Sequence, residues 1–167
     1  VLSASLSAAE PLWTGFVQSP WFEEQYQYLQ PVPEVRAMII APRPEKIKPE
    51  HLNRVVLFTT PNGSSIEQTL GCAQKAGRDW HYAIQHIAAQ HRQWQSLNER
   101  ENLILVCLEA KGLSWPAWRS RHADHPRLIR DVIAAILKQI PLKDPRLTLA
   151  CHSGGGSFLW GFLNGSD

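Results

Sequence analysis

The sequence predicts an α/β fold: a mostly parallel sheet with helices on its faces. Three observations predict it. From residue 54 onward, short apolar runs of strand character alternate with longer segments of helical period, the order that right-handed βαβ crossovers produce around a parallel sheet. The run NLILVCLEA, residues 102 to 110, is apolar without alternation, as a strand covered on both faces must be. No internal repeat or low-complexity linker divides the chain, and its 167 residues, 44% of them apolar, suffice for a single core.

Taken in order, residues 1 to 33 read as a lead-in packed on the domain. Trp13, Phe16, Trp21, Phe22, Tyr26 and Tyr28 stand there among polar residues, which suits irregular chain or a short helix, and Pro31 and Pro33 close the segment. The domain proper is assigned to residues 34 to 167. EVRAMIIAPR (34 to 43) and RVVLFTTP (54 to 61) have strand character and are joined by the polar connector PEKIKPEHLN. PNGSS then supplies turn chemistry.

Between residues 77 and 98, Trp80, Ile84, Ile87, Ala88, His91 and Trp94 recur at spacings of three and four, with Asp79 near the start as a cap. This is the clearest helix pattern in the chain. After the strand at 102 to 110, residues 111 to 125 read as a long loop. PRLIRDVIAAILKQI (126 to 140) reads as a helix, with Pro126 suited to its first turn and Pro141 ending it. Leu147 to Ala150 is a short strand, and Phe158, Leu159, Phe162 and Leu163 then fall at offsets of 1, 4 and 5, one face of a closing helix.

Composition excludes several classes of function. The formal charge is only +2, and the densest cationic stretch, Arg119, Arg121, His122, His125 and Arg127, is broken by Asp124. A solvated loop explains that stretch better than a nucleic-acid stripe. No apolar window reaches the length of a membrane span. The small-residue start VLSASLSAAEPLW fits either an artificial boundary or a mature end left after signal removal, so a secreted or periplasmic location is one reading and the compartment stays open. Cys72, Cys107 and Cys151 are an odd, widely spaced set, two of them in apolar runs, which favours buried reduced thiols over disulfides. No metal motif occurs and the seven histidines are scattered, so neither a metal nor a cofactor is expected.

In a parallel sheet, catalytic groups gather outside the carboxyl ends of the strands. Three loops leave such ends, at 61 to 65, 111 to 125 and 151 to 156, and are expected to converge. The third reads CHSGGG. A nucleophile on a sharp strand-to-helix turn needs small neighbours, because its backbone is strained and the flanking elements approach closely. The turn also lifts the Ser153 hydroxyl clear of the sheet and leaves the Gly154 N–H at a helix start, where it can stabilise an oxyanion.

LTLACHSGGGSFL, with VVLFTTPNGSS before it, resembles the nucleophile elbow and oxyanion loop of the α/β-hydrolases, in the GHSGG form of esterases, lipases and peptidases, of a divergent bacterial secreted type. The likeness covers about residues 34 to 163; Cys151 stands where the pattern has Gly. It implies a three-layer sandwich, incomplete in this chain, and hydrolysis of an ester or amide through an acyl-enzyme. Ser153 would be the nucleophile, Gly154 one oxyanion donor, and a backbone N–H near Asn62 or Gly63 the other. The family draws its acid and His from loops after later strands; here they are expected from outside residues 1 to 167, a second chain formed by processing being one source. His152 adjoins Ser153 and is not expected to be the base, and His81, His86 and His91 are assigned packing or surface roles.

Two choices stay open. Trp115, Trp118 and Arg119 either form a substrate-binding wall above Ser153 or simply anchor a long loop. The chain as a whole is either a serine hydrolase acting on a small-molecule or peptide substrate, or a non-catalytic binding or assembly module that keeps the elbow as a turn. An anion cradle at SGGGS is a weaker third reading, since the P-loop Lys is missing.

Overall fold

The structure is a computed structural model, and it describes residues 11 to 20, 22 to 74, 76 to 77 and 86 to 165. Its strands are β1 (Val17–Gln18), β2 (Glu24–Val32), β3 (Val35–Pro42), β4 (Leu52–Thr59), β5 (Glu101–Ala110) and β6 (Arg146–Cys151). Its helices are α1 (Ile66–Leu70), α2 (Ile87–Leu97), α3 (Trp115–Arg121), α4 (His125–Leu137) and α5 (Gly156–Leu163). The strands form one sheet in the order β1-β2-β3-β5-β4-β6.

The α/β class holds, but the sheet is mixed rather than mostly parallel. β4 pairs in parallel with β5 and β6, whereas β1/β2, β2/β3 and β3/β5 are antiparallel. Two of the antiparallel pairs involve the segment read as a lead-in, and the third sets β3 antiparallel to β5 within the assigned domain. Residues 24 to 32 are a full strand, hairpinned to β3 through Pro33 and Glu34, with Glu34 in the left-handed region at φ 65°. Gln25 is buried there because both ends of its amide are satisfied: Nε2 donates to Pro42 O at 2.9 Å and Oε1 accepts from Trp13 N–H at 2.8 Å. Pro31, which lacks an N–H, sits where the β2/β3 register slips between Leu29 and Val32.

Helices cover both faces. On one, Ile129, Val132, Ile133 and Ile136 of α4, spaced by three and four, pack with Trp115, Trp118 and Phe158 on Ala37, Ile39, Val55, Leu57, Ile104 and Val106. Each of the Ile, Leu, Val and Phe side chains taken from water contributes about 1.5–3 kcal/mol. On the other face Ile66 and Leu70 of α1 and Ala88 of α2 pack on Ile40, Val56, Phe58, Leu105 and Cys107. β5 is buried on both faces, as its unbroken apolar run requires.

Three helices differ from the sequence reading, the first being α1 (Ile66–Leu70), which follows the PNGSS turn directly where no helix was read. The expected long loop at 111 to 125 contains α3, started by Ser114, whose Oγ accepts from Ala117 N–H, and by Pro116 in the first turn. The long helix pattern at 77 to 98 appears as α2 from Ile87 onward; residues 78 to 85, with Asp79 and His81, lie outside the described residues.

The connections fix where a site can form. β4 and β6 are parallel neighbours, with Thr59 opposite Cys151 at their carboxyl ends. The chain leaves β4 towards α1 on one face and leaves β6 towards α5 on the other. Adjacent parallel strands whose exits diverge to opposite faces open a crevice between their loops.

Candidate active site

That crevice holds the CHSGGG turn. β6 ends at Cys151, His152 is extended, and Ser153 turns the chain at φ 52° into a 3-10 turn (Ser153–Gly155) that runs on as α5. The left-handed region is unfavourable for any residue with a Cβ, by about 1–2 kcal/mol, and such strain persists only where the surroundings fix it. Here they do. A Cβ on Gly155 would meet the Thr59 carbonyl and lie 2.8 Å from Thr59 Oγ1, and the same hydroxyl donates to Gly155 O at 2.9 Å. A Cβ on Gly154 would run into the Asn62 side chain, 2.8 Å from Nδ2. The third glycine is freer, since at Gly156 the nearest atom is Cys151 Sγ at 3.8 Å.

Ser153 is exposed at the rim, and among the described residues no hydrogen bond joins its hydroxyl to an imidazole. Gly155 N–H is bonded to His152 O at 3.0 Å and Gly156 N–H to Ser153 O and Gly154 O, while Gly154 N–H has no such partner among the described residues.

The loop after β4 is nearly saturated. Thr60 N–H donates to Leu108 O, Pro61 has no N–H, Gly63 N–H donates to Leu113 O at 2.8 Å and Ser64 N–H to Pro61 O. Ser65 N–H donates to Gln68 Oε1 and Ile66 N–H to Glu109 Oε2 at 2.7 Å. Of these backbone donors Asn62 N–H alone is left, on an exposed residue whose side chain lies over Gly154. Of the two residues expected to offer an oxyanion N–H, Gly63 has its N–H bonded to Leu113 O and, at φ 76°, makes the turn and ties it to the loop after β5.

Behind this loop stands an ion cluster that sequence reasoning missed. Arg36 on β3 forks onto both carboxylate oxygens of Glu67 (2.9 and 2.8 Å) and reaches Glu109 Oε2 on β5 at 2.7 Å. Burial alone would raise the Glu67 carboxyl, but the Arg36 guanidinium outweighs it and holds the group at about 2. Glu109 was visible as the one acid inside the NLILVCLEA run, yet nothing local in the sequence names its partner.

The third loop meets the other two through its framework. Leu113 O holds Gly63, and α3 packs against the 3-10 turn. Trp115 and Trp118 are 1% and 0% exposed, edge-on to one another at 5.6 Å, with Trp115 edge-on to Phe158 at 4.9 Å. They are core anchors beneath α5 and form no open wall above Ser153. Arg119 is likewise engaged, donating from Nη1 to Ser157 O at 3.0 Å. The burial of Trp115 and Trp118 favours the anchoring alternative over the substrate wall.

His152 and His86 are exposed, whereas His91 is buried, and burial with the neighbouring Arg92 pushes its imidazole down to about 4. The cysteines are free thiols. Cys107 is fully buried, with its thiol pushed up by that burial, but Cys151 is exposed at the open end of β6, against the expectation from its apolar run. Among the described residues no group of three potential metal ligands is assembled, and no helix is long and apolar enough to cross a membrane. No protein-family model matches the chain, and no curated protein matches it.

Proposed function

We propose that this chain carries the nucleophile and oxyanion side of a serine hydrolase of the α/β-hydrolase type, cleaving an ester or amide of a small molecule or peptide through an acyl-enzyme on Ser153. The observation that carries the reading is the left-handed backbone of an exposed Ser153 at a strand-to-helix turn, beside the unbonded N–H groups of Gly154 and Asn62. A structural turn has no need of Ser at a position that Gly would occupy without strain.

In this mechanism Ser153 Oγ attacks the carbonyl carbon while its proton passes to an imidazole. The negative charge that develops on the carbonyl oxygen is met by Gly154 N–H at the start of α5 and by Asn62 N–H. The imidazolium then protonates the leaving alcohol or amine, and water attacks the acyl-serine with the same imidazole as base. The imidazole comes from polypeptide outside the described residues. Its approach is supported by the outer edge of β6, which no described strand pairs, and by Trp160 and Leu163 of α5, which are 63% and 59% exposed.

The second reading, a binding or assembly module, is favoured by one observation: no described imidazole bonds Ser153. A fluorophosphonate probe on the full-length protein, read by intact mass with Ser153→Ala as control, separates the two. A mass gain that Ser153→Ala abolishes supports the hydrolase; no gain from the folded full-length protein supports the module.

A further inference from the structure

The oxyanion loop is held by a helix too short to hold itself. α1 has five residues, well under the length at which a helix is stable alone, and its start sets where Asn62, four residues earlier, can lie. Three devices hold the helix, two of them at that start. Ser65 and Gln68 form a reciprocal capping box, with Gln68 N–H donating to Ser65 Oγ at 3.2 Å and Ser65 N–H to Gln68 Oε1 at 2.8 Å. Gly71 closes the other end in the left-handed conformation. The third device is long-range: the Glu109 carboxylate takes the Ile66 N–H at 2.7 Å, the first donor of the helix, and the same oxygen takes Arg36 Nη2 at 2.7 Å.

Arg36 in turn grips Glu67 in the first turn of α1 with both nitrogens of its fork, and Tyr28 on β2 donates to Glu67 Oε1 at 3.3 Å. Strands β2, β3 and β5 thus converge on one helix start. The Glu67 and Glu109 side chains are only 6% and 13% exposed, so water does not substitute readily for either bond. Charge-assisted hydrogen bonds of this length are the strong ones, and a guanidinium fork fixes direction as well as distance.

We propose that Glu109 is a positioning residue of the Ser153 site, acting through Ile66 N–H to hold Asn62 N–H at the oxyanion, with Arg36 and Glu67 as its brace. The inference rests on the serine-hydrolase reading. A donor that acts on the developing oxyanion contributes to the chemical step more than to ground-state binding, so loosening it lowers kcat and leaves KM nearly unchanged.

The test uses full-length protein, a fluorophosphonate and a p-nitrophenyl ester. The variants are Glu109→Gln, which keeps an acceptor of the same length but loses the charge, and Glu109→Ala. Ile136→Ala, in the core on the opposite face of the sheet, serves as the stability control, its thermal midpoint measured beside that of the Glu109 variants. In Glu109→Ala the rate of Ser153 labelling and kcat are expected to fall about 10–100-fold, the scale of a misplaced oxyanion donor, with KM within about twofold of wild type by the same reasoning. Glu109→Gln should fall between Glu109→Ala and wild type, and it carries the test if Glu109→Ala does not fold. Labelling at the wild-type rate in both variants overturns the positioning role and leaves the hydrolase reading intact. Equal losses in Ile136→Ala also overturn it, by making the effect one of stability. Wild-type protein that does not label at Ser153 overturns both.

Discussion

Gly155→Ala and Gly156→Ala, one residue apart, are expected to change stability in opposite directions. Gly155 has φ −58° and ψ −27°, and Gly156 φ −57° and ψ −23°. Both are ordinary right-handed conformations, so Ala alone would stabilise either position by about 0.4–1 kcal/mol through the unfolded chain. At Gly156 nothing opposes this, since the nearest atom to the new methyl is Cys151 Sγ at 3.8 Å. At Gly155 the methyl meets the Thr59 carbonyl, with Thr59 Oγ1 at 2.8 Å and Thr59 C at 3.0 Å. Thr59 cannot retreat, because β4 lies between β5 and β6, with Thr59 paired to Leu108 on one side and Cys151 on the other. The elbow must lift instead, at about 1–3 kcal/mol for overpacking and about 1–3 kcal/mol for the buried Thr59 hydroxyl that loses Gly155 O. After the entropic gain, Gly155→Ala should be less stable than wild type by about 1–5 kcal/mol, and Gly156→Ala more stable by up to about 1 kcal/mol. Urea unfolding with equal m-values reads both. A Gly155→Ala protein within about 0.5 kcal/mol of wild type, the range of an unremarkable surface change, would refute the seating of the elbow on Thr59.

Ser153→Gly should be more stable than Ser153→Ala by about 1 kcal/mol, because only Gly is released from the left-handed strain at φ 52°; thermal unfolding of the pair checks this, and equal midpoints would contradict the strain. His91, held at about 4 in the folded protein against 6.5 in the free side chain, is neutral when folded, so its contribution is full above pH 6.5 and is lost as pH falls through 4. That loss is worth about 3 kcal/mol, and a His91→Gln protein should lack this part of the pH dependence in urea unfolding between pH 6.5 and 4. Trp118→Ala, at a side chain with 0% exposure, should cost about 3–5 kcal/mol as a core truncation, whereas a residue that merely lined a substrate wall would leave the unfolding midpoint near wild type.

How much was legible in the sequence depended on how local each signal was. β5 was readable because burial on both faces leaves an unbroken apolar run, and α4 because its stripe repeats at helical spacing between Pro126 and Pro141. β2 was not, although Gln25-Tyr26-Gln27-Tyr28 alternates with strand period: neither residue type is strongly apolar, and the strand exists through its pairing with β3. α3 was hidden because its seven residues are too few to show a period, and its Trp115 packs on Phe158, 43 residues on. Ser153 and its glycines were legible because a strained turn declares itself in adjacent residues. Thr59 and Glu109 were not, since one acts on a carbonyl 96 residues away and the other on an N–H 43 residues away.

The site is therefore better described as two loops locked to one sheet than as a motif. The strain at Ser153 is held from below, by Thr59 on Gly155, and from the side, by Asn62 over Gly154. The loop that carries Asn62 is itself fixed at both ends, by Thr60 N–H on Leu108 O and by Glu109 on Ile66, and in between by Leu113 O on Gly63. Each lock runs to a strand of the β5-β4-β6 block or to the turn that leaves it, so Gly154 N–H and Asn62 N–H hang from one rigid body. In the proposed reaction, two donors mounted in that way would meet a developing charge without reorganising, which is the condition under which hydrogen bonds contribute most to a transition state. The same construction explains why the glycines differ in kind. Gly154 and Gly155 face the parts that must not move, and Gly156 faces open space beside a thiol.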